Sequence, residues 1–183
     1  MKKLLITTLL ALASLSAVAG TATIEYSSIE GLNGGKDGTG YLFQVSETVA
    51  KNLDLSAQML TTQSDGTHTL GSRVEVGITP KLPTAFGTLY TKVSVGEKLT
   101  SAGPKEYYAV EPGITVPVTD NISVRAGYRY RVAFDSAIND TTRTERLGAS
   151  YALTKQDSLT VRFDRQRGDS QQNSWNFAYT LSF

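Results

Sequence analysis

The chain has 183 residues, with 18 Lys and Arg against 17 Asp and Glu, a single His and no Cys. That length suits one domain, and the charge balance excludes a general nucleic-acid binder, which carries a strong basic excess. The missing cysteines exclude a disulfide framework and thiolate metal sites.

The first residues read MKKLLITTLLALASLSAVAG. Lys2 and Lys3 form a short positive region, 4–15 is an apolar stretch, and Ala17-Val18-Ala19 is the small-x-small pattern that signal peptidase reads. The apolar run is too short for a membrane anchor, and no stop-transfer segment follows it. The sequence therefore predicts a cleaved signal peptide over 1–19 and one exported domain over 20–183. Loss of Lys2 and Lys3 leaves that domain with 16 basic and 17 acidic residues.

No later segment is apolar enough for a transmembrane helix, and none has a helical period. Alternating runs bounded by turn residues predict ten strands, over 21–30, 39–49, 53–62, 69–79, 84–97, 106–116, 121–134, 143–153, 158–168 and 172–183. The connections at 50–52, 80–83, 117–120 and 154–157 read as tight. Those at 31–38, 63–68, 98–105, 135–142 and 169–171 are mostly longer, with Gly, Asn, Asp and Ser. Short turns at one end and looser loops at the other suit an up-and-down barrel with periplasmic turns and outer loops.

One phase of the alternation is apolar, as in Leu53, Leu55, Ala57 and Met59 or Leu159, Val161 and Phe163. The other is polar, as in Asp54, Ser56 and Gln58 or Thr160, Arg162 and Asp164. Tyr41, Phe43, Tyr108, Tyr130, Phe134 and Trp175 fall near the outer strand ends, and Tyr151 and Phe183 near the inner ones, as two interfacial belts require. The fold predicted is all-β, an antiparallel up-and-down transmembrane β-barrel of about ten strands, with eight or twelve as alternatives. Glu47, Glu145 and Arg165 fall in the lipid-facing phase, which charges tolerate near the interfaces. Pro112 predicts a bulge or a shifted register in the sixth strand. Phe86 falls in the inward phase of the fifth.

The last strand, NSWNFAYTLSF, carries Trp175, Phe177, Tyr179, Leu181 and Phe183 on one phase and ends on the aromatic. It resembles the C-terminal signature of Gram-negative outer-membrane β-barrels. The resemblance implies an outer-membrane location and recognition of Phe183 by the barrel-assembly machinery. The segment RAGYRYR, within the strand ISVRAGYRYRVAF, is similar to the oligogalacturonate-specific porin group, whose lumen carries arginine tracks. That similarity implies a porin for acidic oligosaccharides.

The polar phase is where function is expected. Arg125, Arg129 and Arg131 share it, and the simplest hairpin register sets Arg131 beside Arg146, with Arg162 one strand further. Neighbouring guanidiniums repel unless an oxyanion lies between them, and their forks match carboxylates and phosphates bidentately. Arg73, Lys92, Arg125, Arg129, Arg131, Arg146 and Arg162 face Glu25, Asp54, Glu75, Glu111 and Asp164, an excess of two positive charges. The same register brings Glu111 near Arg125 and Asp164 near Arg146. Tyr90 and Tyr107 are candidate surfaces for a sugar ring.

Two functions remain open on these residues. One is a narrow passive channel, with those basic residues and Tyr90 as ligands for a small anionic solute or acidic sugar. The other is a non-conducting structural or adhesive barrel, whose interior is ion-paired and whose outer loops do the work. Ten strands lie near the narrow limit, at which side chains can fill the interior. Enzymes of the omptin class look superficially alike. Here the single His68, three residues after Asp65, lies in a polar loop, and the chain is too short for that taller barrel. No catalytic residue, metal site or cofactor is expected.

Overall fold

The computed structural model describes residues 20–65, 70–100, 103–135, 137–138 and 140–183, so the 1–19 segment and His68 lie outside the described residues. Ten strands follow in order: β1 (Gly20–Gly31), β2 (Gly38–Ala50), β3 (Leu53–Ser64), β4 (Leu70–Thr84), β5 (Gly87–Thr100), β6 (Gly103–Pro117), β7 (Ile122–Ala133), β8 (Thr142–Ala152), β9 (Asp157–Gly168) and β10 (Gln172–Ser182). Each pairs antiparallel with its neighbours in sequence. β1 also pairs with β10, from Thr21↔Ser182 to Gly31↔Gln172, and the sheet closes into a barrel. The closed ten-stranded barrel is the predicted fold, and eight and twelve strands drop out.

Because side chains alternate across a strand, closure sends one phase inward and the other outward. The outward phase exposes Ile24 at 61%, Leu147 at 59% and Trp175 at 52%, together with Phe43, Val95, Val161 and Phe177. A continuous apolar belt around a whole barrel is stable against lipid rather than water. The inward phase holds the buried polar groups, among them Glu25, Ser27, Glu75, Glu111, Arg129, Arg131 and Asn176. The protein is thus an inside-out sheet, polar at its centre.

Local chemistry makes the turns. Asn33 and Gly34 both take positive φ (54° and 83°), and the Gly35 N–H donates to the Leu32 carbonyl at 3.0 Å. That is the Asn-Gly hairpin turn, whose twist matches the flanking strands. At the end bearing the termini, Thr119 Oγ1 accepts from the Asn121 and Ile122 N–H groups, and Thr154 Oγ1 accepts from those of Gln156 and Asp157. One threonine per turn replaces the hydrogen bonds that the strands give up.

Several expectations need correction. Residues 80–83 are not a turn: β4 runs through Pro80 and Pro83 to Thr84 and turns at 85–86, which leaves Phe86 63% exposed rather than inward. The 98–105 connection is not a long loop, because β5 and β6 stay paired out to Thr100↔Gly103. Pro112 shifts no register. Val110↔Tyr130 and Gly113↔Gly127 belong to one unbroken alignment, and only the rungs between them are missing. A proline without an N–H drops a rung and keeps the strand where the gap is tolerated. The register break that does occur lies between Thr48 and Ala50 in β2.

Candidate functional site

The inward side chains of β4 to β9 form a connected network of charges. Glu75 accepts from Arg129 Nη2 at 2.5 Å and from Arg129 Nη1 at 3.2 Å, with Lys92 Nζ 3.3 Å away. Arg129 also lies 3.8 Å from Glu111, which takes Arg146 at 2.6 Å and Arg125 at 3.5 Å. Arg146 continues to Asp164 at 3.6 Å, and Asp164 holds Arg162 at 2.8 Å. Arg162 then reaches Glu25 on β1 at 3.0 Å. Lys92 extends the other end by donating to Gln58 on β3 at 2.9 Å. A girdle of alternating sign therefore runs from β3 round to β1. Paired in this way, charges in a low-dielectric interior satisfy one another.

Glycines make room for two tyrosines that shape this wall. A Cβ on Gly113 would lie 2.2 Å from the Tyr90 ring, and one on Gly127 would lie 2.7 Å from its hydroxyl. Tyr90 therefore lies flat on the backbone of β6 and β7. The Arg125 guanidinium covers its ring at 4.1 Å, and Arg125 Nε donates to its hydroxyl at 2.7 Å. Tyr107 repeats the arrangement over Gly96, where a Cβ would meet its hydroxyl at 2.5 Å. Its hydroxyl donates to Glu75 at 3.0 Å, and Arg131 sits 5.2 Å above its ring. Cation–π contact and a close glycine fix both rings in place.

All eight predicted ligands, Arg73, Tyr90, Lys92, Arg125, Arg129, Arg131, Arg146 and Arg162, line the lumen, but they do not form a free basic wall. The predicted Arg131–Arg146 neighbourhood is wrong by four residues: Arg131 aligns with Thr142 and Arg146 with Gly127. The loop between β7 and β8 sends Asp140 inward to Arg131 at 2.8 Å and to Lys98 at 3.7 Å. Arg146 does align with Asp164, as expected. Glu111 aligns with Lys92 on β5 and still pairs with Arg125 from there. Tyr107, 1% exposed, offers no surface to a sugar.

Sequence reasoning missed three charged groups. Lys81 faces inward and pairs with Asp54. Its place two, four and six residues after Thr79, Gly77 and Glu75 is a parity signal, hidden only by the reading of 80–83 as a turn. Lys98 has the parity of Lys92 and was hidden in the same way. Asp140 carries no periodic signal at all.

Two of the lumen arginines are held less fully than the rest. Among the described residues Arg73 forms no ion pair, and its Nε is buried without an acceptor. Arg125 keeps half of its side chain exposed at the opposite end of the lumen. Beside the girdle run three cavities. A chamber of about 400 Å³ opens toward the termini, lined by Thr23, Gln44, Ser56, Thr160 and Arg125 among others. It shares Glu25, Leu42, Gln58, Arg146 and Arg162 with a waist of about 90 Å³. The waist shares Ile29, Leu60, Thr62 and Arg73 with a loop-end vestibule of about 210 Å³, which Lys36, Lys98 and Arg131 also line. Leu42 and Leu60 oppose the girdle at the waist, with Ser27, Ser174 and Asn176 beside them.

No protein-family model and no curated protein matches the chain. Among solved structures it is similar to an outer-membrane channel from Pseudomonas putida F1, with a TM-score of 0.61 and 11% identity over 93% of this chain and 97% of that one. It is also similar to the translocator domain of the autotransporter NalP from Neisseria meningitidis, with a TM-score of 0.52 and 10% identity over 100% and 94% of the two chains. At such identities the likeness is one of fold, and that fold is the bacterial outer-membrane β-barrel.

Proposed function

We propose that the protein is an outer-membrane channel, exported by its 1–19 segment, that passes small polar solutes and favours anions, acidic sugars among them. The observation that carries this reading is the series of three cavities sharing lining residues from one end of the barrel to the other. Solutes move along the short polar side chains of β10, β1, β2 and β3, and the girdle opposite supports the wall. The preference for anions rests on Arg73, which has no ion pair among the described residues, and on Arg125, which stays half exposed beside Glu111. Arg73, with Lys36, Lys98 and Arg131, sets a positive potential at the loop-end mouth, and Arg125 does so at the other. Phe183, at the end of the outward aromatic phase, is the group that the assembly machinery reads in this proposal.

Single-channel recording in a planar bilayer under a salt gradient tests it. Steady openings with anion selectivity are expected. Arg73→Glu with Arg125→Glu removes or reverses that selectivity, because neither residue closes the girdle. A second reading, a non-conducting barrel that works through its outer loops, is favoured by the narrowness of the waist. A silent membrane from protein with heat-modifiable gel mobility selects that reading and overturns the channel.

A further inference from the structure

The outward face of β8 and β9 departs from the apolar belt in a graded way. Reading toward the loops, one row of aligned residues is Trp175, Phe163, Leu147 and Ala126. The next is Asn173, Arg165, Glu145 and Tyr128, and the last is Arg167, Arg143 and Tyr130. Apolar contact thus gives way, over two rows, to three guanidiniums and two phenols. Arg143 and Arg167 stand directly opposite each other across the strand pair, an arrangement of like charges that destabilises a sheet unless an anion lies between them. Glu145 faces Arg165 one row below and Asp169 stands at the rim, so the three guanidiniums outnumber the carboxylates by one.

Both arginines are exposed, and among the described residues none of Arg143, Arg165 and Arg167 forms an ion pair. Arg143, Arg167, Tyr128 and Glu145 line a groove of about 380 Å³ on this face, closed above by Thr141, Gly168 and Asp169. The Asp169 carboxylate is occupied with the Thr141 N–H, which fixes the rim of the groove. We infer that this groove binds the phosphorylated headgroup of a lipid in the loop-side leaflet. Its acyl chains would lie on Leu147, Phe163 and Trp175, and its phosphate between Arg143 and Arg167. Charge complementarity and position commit it to a lipid. The paired forks suit a phosphate bidentately, and the groove opens above the belt, where headgroups lie. This site is independent of conduction and needs only the barrel's place in a membrane.

The test uses the full chain in nanodiscs of phosphatidylcholine doped with a bis-phosphorylated glucosamine lipid, with native mass spectrometry to count the lipids retained. The wild type is expected to retain the phosphorylated lipid selectively. Retention should fall about tenfold in Arg143→Ala with Arg167→Ala, and by less in Arg143→Lys with Arg167→Lys, which keeps the charge and loses the fork. Excess inorganic phosphate should not displace the lipid. Displacement would mean a site for free anions and would overturn the assignment. So would a wild type that retains both lipids alike, a result that needs no variant to fold, or equal retention by the wild type and both variants.

Discussion

The two halves of the lumen solve the same problem differently. From β4 to β9 the middle of the inward face carries long charged side chains, nearly every one of which meets its opposite, with Thr79, Thr88, Thr115, Ser150 and Thr160 toward the termini. On β10, β1, β2 and β3, apart from Glu25, Asp54 and Gln58, they are short hydroxyls, amides and a few aliphatics such as Ser27, Leu42, Ser56, Thr62, Ser174 and Asn176. In a barrel of ten strands the interior lies near the size that side chains can fill. Reach, more than charge, then decides where space is left: the arginines span the wall they stand on, and the serines do not. Around the waist the charged half fills its side, and the short chains opposite leave room.

That contrast is easiest to break at Glu75. It is 1% exposed and accepts from Arg129 and Tyr107 with Lys92 beside it, so Glu75→Ala strands two buried cations. Urea unfolding in phospholipid vesicles, followed by Trp175 fluorescence, should show a loss of about 3–5 kcal/mol. Equal stability would mean the girdle is ornamental. Gly113→Val pushes a side chain into the Tyr90 ring and displaces Arg125 with it. A loss of about 1–3 kcal/mol is expected from overpacking, with a changed tyrosine signal in near-ultraviolet circular dichroism.

A milder change sharpens the comparison within the charged half. Tyr107→Phe removes one donor from Glu75 and leaves Arg129 in place, at an expected cost of about 1–2 kcal/mol in the same unfolding assay. The short-chain half should respond in the opposite way. Leu42→Trp at the waist should alter stability by no more than about 0.5 kcal/mol. It should nevertheless lower single-channel current by about half or more, because Leu42 lines the smallest of the three cavities, where added bulk most restricts passage. Unchanged current in that variant would move the path away from the short-chain wall.

Strand number, strand phase and the division between greasy and polar faces were legible because they depend on nothing beyond the period of two in each run. Register was not. The simplest hairpin register puts Arg131 beside Arg146, whereas the observed alignment lies four residues away and Asp140 folds back onto Arg131. The inward placement of Lys81 was lost at Pro80 and Pro83, since a proline reads as punctuation. Here β4 drops rungs to β5 near Pro80, as β6 drops rungs to β7 near Pro112, and both strands continue. At the level of the site, the residue types and their facing were readable. Which arginine would be left without a carboxylate was not, because that depends on contacts between strands three apart, such as Arg129 on β7 with Glu75 on β4.

Those long contacts also act as chords across a hoop. A ring of strands resists flattening poorly, because each hinge between neighbours is soft. Arg129–Glu75, Lys92–Gln58 and Arg162–Glu25 tie strands that are not neighbours and stiffen the arc they subtend. Among the described residues the arc through β2 carries no such strut. When the surrounding bilayer squeezes or stretches the ring, that arc yields first, so the aperture breathes on its uncharged side while the charged side holds its shape. Amide hydrogen exchange should accordingly run faster along β2 than along β6 and β7.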